Sequence, residues 1–205
     1  LVHCNGDAAS DQLLNMYSEA LEESGNPNKG NLRPTMIHCQ TIRNDQLDQM
    51  AELDMLPSIF VAHTYYWGDV HLKNLGEERG SRISPAKSAL DRGLCFNLHQ
   101  DSPVVKPLML HTIWAAVNRI TRNGVAIGPK ERIGVYDALK AVTINAAYEY
   151  FEEDLKGTIE KGKLADLVVL DKNPLEVDPM AIKDIQVVRI LKRELRCIEM
   201  MGMYN

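Results

Sequence analysis

The chain has 205 residues and a formal net charge of −5, with hydrophobic residues at 45% and charged residues at 25%. This is the composition of a globular protein with length for one large domain or one and a half ordinary ones. The acidic balance and the lack of a Lys/Arg cluster exclude a nucleic-acid surface, and no run approaches the ~20 apolar residues of a bilayer span. The cysteines, Cys4, Cys39, Cys95 and Cys197, form no CxxC pair. Their pattern points to reduced, buried thiols and a cytoplasmic home.

Over the first 100 residues, short apolar runs alternate with helical patterns, the rhythm of βα units on a parallel sheet. Leu1–Cys4 reads as the end of a strand. Ala8–Ser24 reads as a helix with Leu13, Leu14, Tyr17, Ala20 and Leu21 on one face, stopped by Gly25-Asn26-Pro27. Thr35–Cys39 is the next strand, and Asn44 can cap a helix running to about Asp54. Ser58–His63 reads as a third strand. Residues 65–84 have no strong period, are rich in aromatic and charged side chains, and predict a long functional loop. Ser84–Arg92 is a short helix, Leu94–His99 a fourth strand and Pro107–Asn118 a helix. Gly134–Tyr150 reads as one further helix, Gly157–Asp171 as two short strands around a Lys161-Gly162 turn, and Ile185–Ile198 as two more strands. Four βα units are half of a closed (β/α)8 barrel, which takes ~250 residues.

Three residues that bind metals well stand at the ends of these apolar runs: His3, His38 and Asp101. Imidazole and carboxylate together suit zinc and its neighbours, and ligands at the C-terminal ends of successive strands are how a parallel barrel builds its site. Each has a simpler reading: a partly buried, hydrogen-bonded strand-end histidine, or for Asp101 a helix cap ahead of Ser102-Pro103. Cys4 and Cys39 directly follow histidines, so alternation along a strand turns their sulfurs away into the core. Asp7 reads as a cap for the helix after it. His63, at a barrel mouth, suggests substrate contact or transition-state stabilisation. Tyr65, Tyr66, Trp67 and Asp69 either line a pocket or pack a loop. Arg119 either orients an anionic group of a substrate or is a solvated or capping arginine. His99, two residues before Asp101, reads as a support to the ligands or as structural.

Taken in order, several of these segments resemble the C-terminal half of the amidohydrolase superfamily, most closely the amidohydrolase family 3 branch that includes N-substituted formamide deformylases. The segments are His3 to Asp7, Ile37 to Gln40, Asp101 to Val104, Ala115 to Arg119, Thr143 to Ala147 and, most specific, Gly157 to Asp171. The resemblance implies an α/β fold. Residues 1–155 would come from strands 5 to 8 of a TIM-type barrel, and residues 156–205 from the C-terminal part of a composite β-sandwich domain. It implies a metal-dependent hydrolase of carbon–nitrogen bonds other than peptide bonds, with a divalent metal, first of all zinc, as one or two ions. In that pattern His3 and His38 match metal-binding histidines, and Asp101 matches an aspartate that binds metal and takes the proton of the attacking water. The family's His-x-His pair and its bridging acidic or modified lysine residue have no counterpart in these residues, so the chain is expected to be part of a longer enzyme and inactive alone. The expected partner is a small amide or formamide-like substrate, with self-association through the open edges of the half-barrel. The alternative expectations are a ligand-binding or regulatory relative without turnover, and a self-associating half-barrel module.

Overall fold

The computed structural model of the protein describes residues 1–25, 32–192 and 195–197. Four strands form one parallel sheet in the order β1-β2-β3-β4: β1 (Val2–Cys4), β2 (Thr35–His38), β3 (Leu56–Ile59) and β4 (Asn97–Leu98). The register is regular, with His3 opposite Ile37, Ile37 opposite Ser58 and Ser58 opposite Asn97. Parallel neighbours need crossover connections. These are supplied by helix α1 (Asp7–Ser24) between β1 and β2, and by α2 (Asn44–Glu52) between β2 and β3. Leu14 and Leu21 of α1 and Leu47 and Met50 of α2 are buried on the sheet, together with Cys4, Met36, Cys39, Ile59 and Leu98. Placing such side chains out of water at ~25 cal/mol per Å2 is what holds the helices down. The two cysteines expected in the core are there.

The connection from β3 to β4 departs from the expectation of a loop. Strand β3 ends at Ile59, and His63 opens a short helix, α3 (His63–Tyr66), rather than closing a strand. The amide of His63 donates to the Phe60 carbonyl at 3.2 Å, and the Thr64 hydroxyl to the Val61 carbonyl at 2.8 Å. Residues 65–84 then hold a second helix, α4 (Gly68–Gly80), broken by Gly76 at φ 76° and ψ 170°. A helix interrupted by a left-handed glycine shows no sustained 3.6-residue period, which is why its pattern reads as a loop. Helix α5 (Ala86–Asp91) precedes β4, and α6 (Met109–Asn118) follows it.

The single helix expected over residues 134–150 is two, α7 (Val135–Ala141) and α8 (Ile144–Glu149). The break falls at Val142-Thr143, two β-branched residues in succession. Thr143 leaves helical geometry at φ −127° and ψ −93°, while its hydroxyl bonds back to the Leu139 carbonyl at 2.7 Å. Beyond α8 a three-stranded antiparallel sheet runs β5 (Leu167–Leu170), β6 (Val187–Lys192) and β7 (Leu195–Cys197). Of the two strands expected within residues 157–171, only β5 forms. Both strands expected after residue 185 form, and Ile198 lies outside the described residues. Between β5 and β6, a 3-10 segment at Pro179–Asp184 fastens this part to α6. Ile182 is fully buried there, and Trp114 and Asn118 donate to the Met180 and Pro179 carbonyls at 3.1 and 2.9 Å. No helix among the described residues is long and apolar enough to cross a membrane.

Candidate active site

The face of the parallel sheet turned away from α1 and α2 carries His3, Ser58 and Asn97, and the segments after the C-terminal strand ends bring His38, His63, His99 and Asp101 beside them. Strict alternation along β2 would place His38 on the same side as Met36, which is buried in the helix-covered core. The backbone prevents that: His38 has φ 81° and Cys39 φ 50°. Left-handed geometry at a non-glycine residue is costly and persists only where the surroundings enforce it. Here it turns the His38 ring onto the face that carries His3, 4.5 Å between ring centroids from His3 and 4.9 Å from His99, and sends Cys39 into the core. Asp101 also has positive φ, at 53°, at the head of the turn after β4.

The His38 ring is held from behind. Its Nδ1 lies 3.1 Å from His99 Nε2, and His99 Nδ1 lies 2.9 Å from the Ser58 hydroxyl. His99 stacks on Phe60, with centroids 5.5 Å apart and an interplanar angle of 25°. Burial pushes His99 down to about 4, with the His38 ring adding to the effect and Asp101 opposing it. Burial, helped by His3 and opposed by Asp101, also lowers His38. Asp101 is solvent-exposed, yet close enough for its charge to act on both imidazoles. His63 is pushed down to about 3, first by burial and then by His38, His71 and His99. Its Nδ1 is buried with no hydrogen-bond partner. A buried polar atom without a partner is uncommon.

The two aromatic residues expected near a substrate part company. Trp67 stands against His63 and Phe60, at 5.7 and 6.1 Å between centroids. The Tyr65 ring packs instead on His111 and Trp114, at 4.8 and 5.5 Å, and belongs to the main core. Arg119 corrects the expectation of a ligand contact. It is fully buried, and its guanidinium donates to the carbonyls of Ile127, Ser84, Ile83 and Ser81 at 2.9, 2.9, 2.8 and 3.3 Å. With its donors taken up by backbone oxygens it clamps the chain after α4 to the end of α6 and presents nothing to a cleft. Asp7 heads α1, where its carboxylate accepts from the Ala8 amide at 3.0 Å and pairs with Arg79 at 3.2 Å.

Sequence reasoning left His99 without a firm role and passed over Ser58 and Asn97. The available signal was spacing: Asn97, His99 and Asp101 recur at every second residue, the period of one face of a strand. A further contact at the rim joins Gln40 Nε2 to His71 Nε2 at 2.7 Å.

In kind, the donors suit a divalent transition metal, since His38 is kept neutral and a carboxylate is near. In number they fall short: among the described residues, no group of three or more His, Cys, Asp or Glu side chains is gathered so as to hold a metal ion.

The amidohydrolase family profile matches residues 1–194. The chain belongs to the amidohydrolase family. Over 191 residues it is 31% identical to N-substituted formamide deformylase of Arthrobacter pascens, covering 92% of this chain and 34% of that protein. It is 33% identical over 174 residues to the LONG AFTER FAR-RED 3 protein of Arabidopsis thaliana, covering 84% and 29%. Among solved structures it is similar to an uncharacterized metal-dependent hydrolase from Pyrococcus horikoshii OT3, with a TM-score of 0.71 and 26% identity over 86% of this chain and 34% of that one. The chain thus spans about a third of the length of these amidohydrolase relatives. The parallel α/β sheet is the corresponding part of their barrel.

Proposed function

We propose that the intact protein hydrolyses a carbon–nitrogen bond other than a peptide bond in a small amide or formamide-like substrate, and that His3, His38 and Asp101 are the metal ligands contributed by this stretch. The observation that carries the reading is His38. Its left-handed backbone turns a neutral imidazole out of the core and onto the face shared with His3, within reach of the charge of Asp101 in the turn after β4. A divalent metal, zinc first, supplies Lewis acidity and brings the pKa of water toward ~7. Asp101, open to solvent at the end of β4, takes the proton of the attacking water and returns it to the leaving nitrogen. His63, kept neutral beside His38, hydrogen-bonds the carbonyl oxygen as charge builds on it. Trp67, packed on His63, walls the cleft and excludes water. The formamide class is favoured by the likeness to a formamide deformylase. Residues 156–205 act as the C-terminal part of the accompanying sandwich domain.

The test is turnover of an N-substituted formamide series by the intact protein. Activity should be lost on chelation, return with zinc, and fall by about 10^2 to 10^4 in Asp101→Asn. Unchanged turnover in that variant overturns the role of Asp101.

A further inference from the structure

Behind His38 runs a buried chain of polar side chains that reaches from the site to the opposite end of the sheet. Glu149, on α8, accepts from Asn97 Nδ2 at 2.6 Å. Asn97 Oδ1 accepts from the Ser58 hydroxyl at 2.6 Å. Ser58 Oγ meets His99 Nδ1 at 2.9 Å, and His99 Nε2 meets His38 Nδ1 at 3.1 Å. Glu149, Asn97 and Ser58 are all buried.

The chemistry of each group leaves one consistent direction for the protons. A carboxylate only accepts, so the amide of Asn97 turns its NH2 to Glu149 and its oxygen to Ser58. The Ser58 hydroxyl has a single proton and gives it to that oxygen. Ser58 Oγ therefore accepts from His99, so the proton of His99 sits on Nδ1. His99 Nε2 is then a lone pair, and His38 must donate to it from Nδ1. What remains on His38 is the Nε2 lone pair, pointed away from the chain. A neutral imidazole carries a single proton, so a His99 ring that donates from Nδ1 has none left for Nε2.

We propose that Glu149, Asn97, Ser58 and His99 form a hydrogen-bond relay that fixes His38 as its Nδ1–H tautomer and presents its Nε2 lone pair to the site. Ser58, Asn97 and Glu149 are positioning residues: they touch no substrate and act through His99. Free histidine side chains prefer the Nε2–H form, so the relay selects the tautomer that solvent would not. The consequence for metal binding rests on the reading of His38 as a ligand, whereas the tautomer itself does not.

The experiment is long-range 1H–15N correlation NMR of the metal-free intact protein labelled with 15N-histidine, together with a zinc titration. His38 and His99 should both show protonated Nδ1 and unprotonated Nε2. In Ser58→Ala the His99 proton loses its acceptor, and both rings should move toward the Nε2–H pattern. Zinc affinity should fall about 10- to 100-fold. Ser58→Thr keeps the hydroxyl and should restore both readings. A wild-type His38 protonated on Nε2 overturns the relay, as does an unchanged spectrum in Ser58→Ala; if that variant does not fold, the wild-type spectrum alone decides. Zinc binding with the reversed tautomer rejects the relay and keeps the proposed function. The expected tautomer without zinc binding does the opposite.

Discussion

Acid should destabilise this protein well before its carboxylates titrate, because the fold buries neutral imidazoles. His63 and His99 are pushed down to about 3 and about 4, against about 6.5 for an unfolded histidine. A base held neutral in the native state binds its proton only on unfolding. Its contribution to stability is therefore intact above about pH 6.5 and is lost as pH falls toward the folded value. Each unit of pH in that window removes about 1.4 kcal/mol per group. Between pH 6.5 and 5 the two histidines together cost about 4 kcal/mol, a large part of the ~5–15 kcal/mol that holds a typical domain folded. His38, His71 and His111, also lowered by burial, act in the same direction. The assay is urea unfolding at a series of pH values. His63→Gln and His99→Gln should each flatten the curve by about 2 kcal/mol over that window. A midpoint constant from pH 7 to 5 would refute the reasoning, since it would mean that these rings protonate in place.

Arg119→Met should lower stability by about 3–5 kcal/mol, because it leaves several buried carbonyls without donors; a loss under about 1 kcal/mol in guanidinium unfolding would mean that water takes over those oxygens. Gly128→Ala should cost at least about 2 kcal/mol, since a Cβ there would fall 1.7 Å from the Ser81 carbonyl oxygen at φ 56°, and thermal melts showing no change would refute the close approach. Arg33→Lys should cost about 1–2 kcal/mol, read by the same melts. The guanidinium lies 3.7 Å over the Tyr148 ring and 4.1 Å over the Phe151 ring while pairing with Glu153, and a lysine cannot be planar and bidentate. Equal stability would mean that the stacking carries nothing.

The strands and first helices were legible because apolar runs and helical stripes report burial on one side, and the helix-covered core around Leu14, Met36, Leu47 and Met50 is what those stripes predicted. The helix after β3 was hidden by Gly76, whose left-handed backbone interrupts the period, and the split of residues 134–150 by the β-branched pair Val142-Thr143. His3, His38 and Asp101 stood out as strand-end residues of the right chemistry. The backbone turn that carries the His38 ring across the sheet has no signature in residue type, since histidine at φ 81° is not what composition suggests. Arg119 misled for a related reason: within Trp-Ala-Ala-Val-Asn-Arg-Ile an arginine looks like a helix end facing water, and only the carbonyls converging from residues 81–84 and 127 make it a buried clamp. The polar chain behind His38 depends on strand register, Ser58 opposite Asn97, which no local pattern encodes.

The most direct test of the account is an anomalous-difference map at the zinc edge from crystals of the intact, zinc-loaded protein. A peak bonded to His3, His38 through Nε2, and Asp101 is the predicted result. A zinc-loaded crystal with its peak elsewhere, or with His38 bonded through Nδ1, would contradict the assignment of this site.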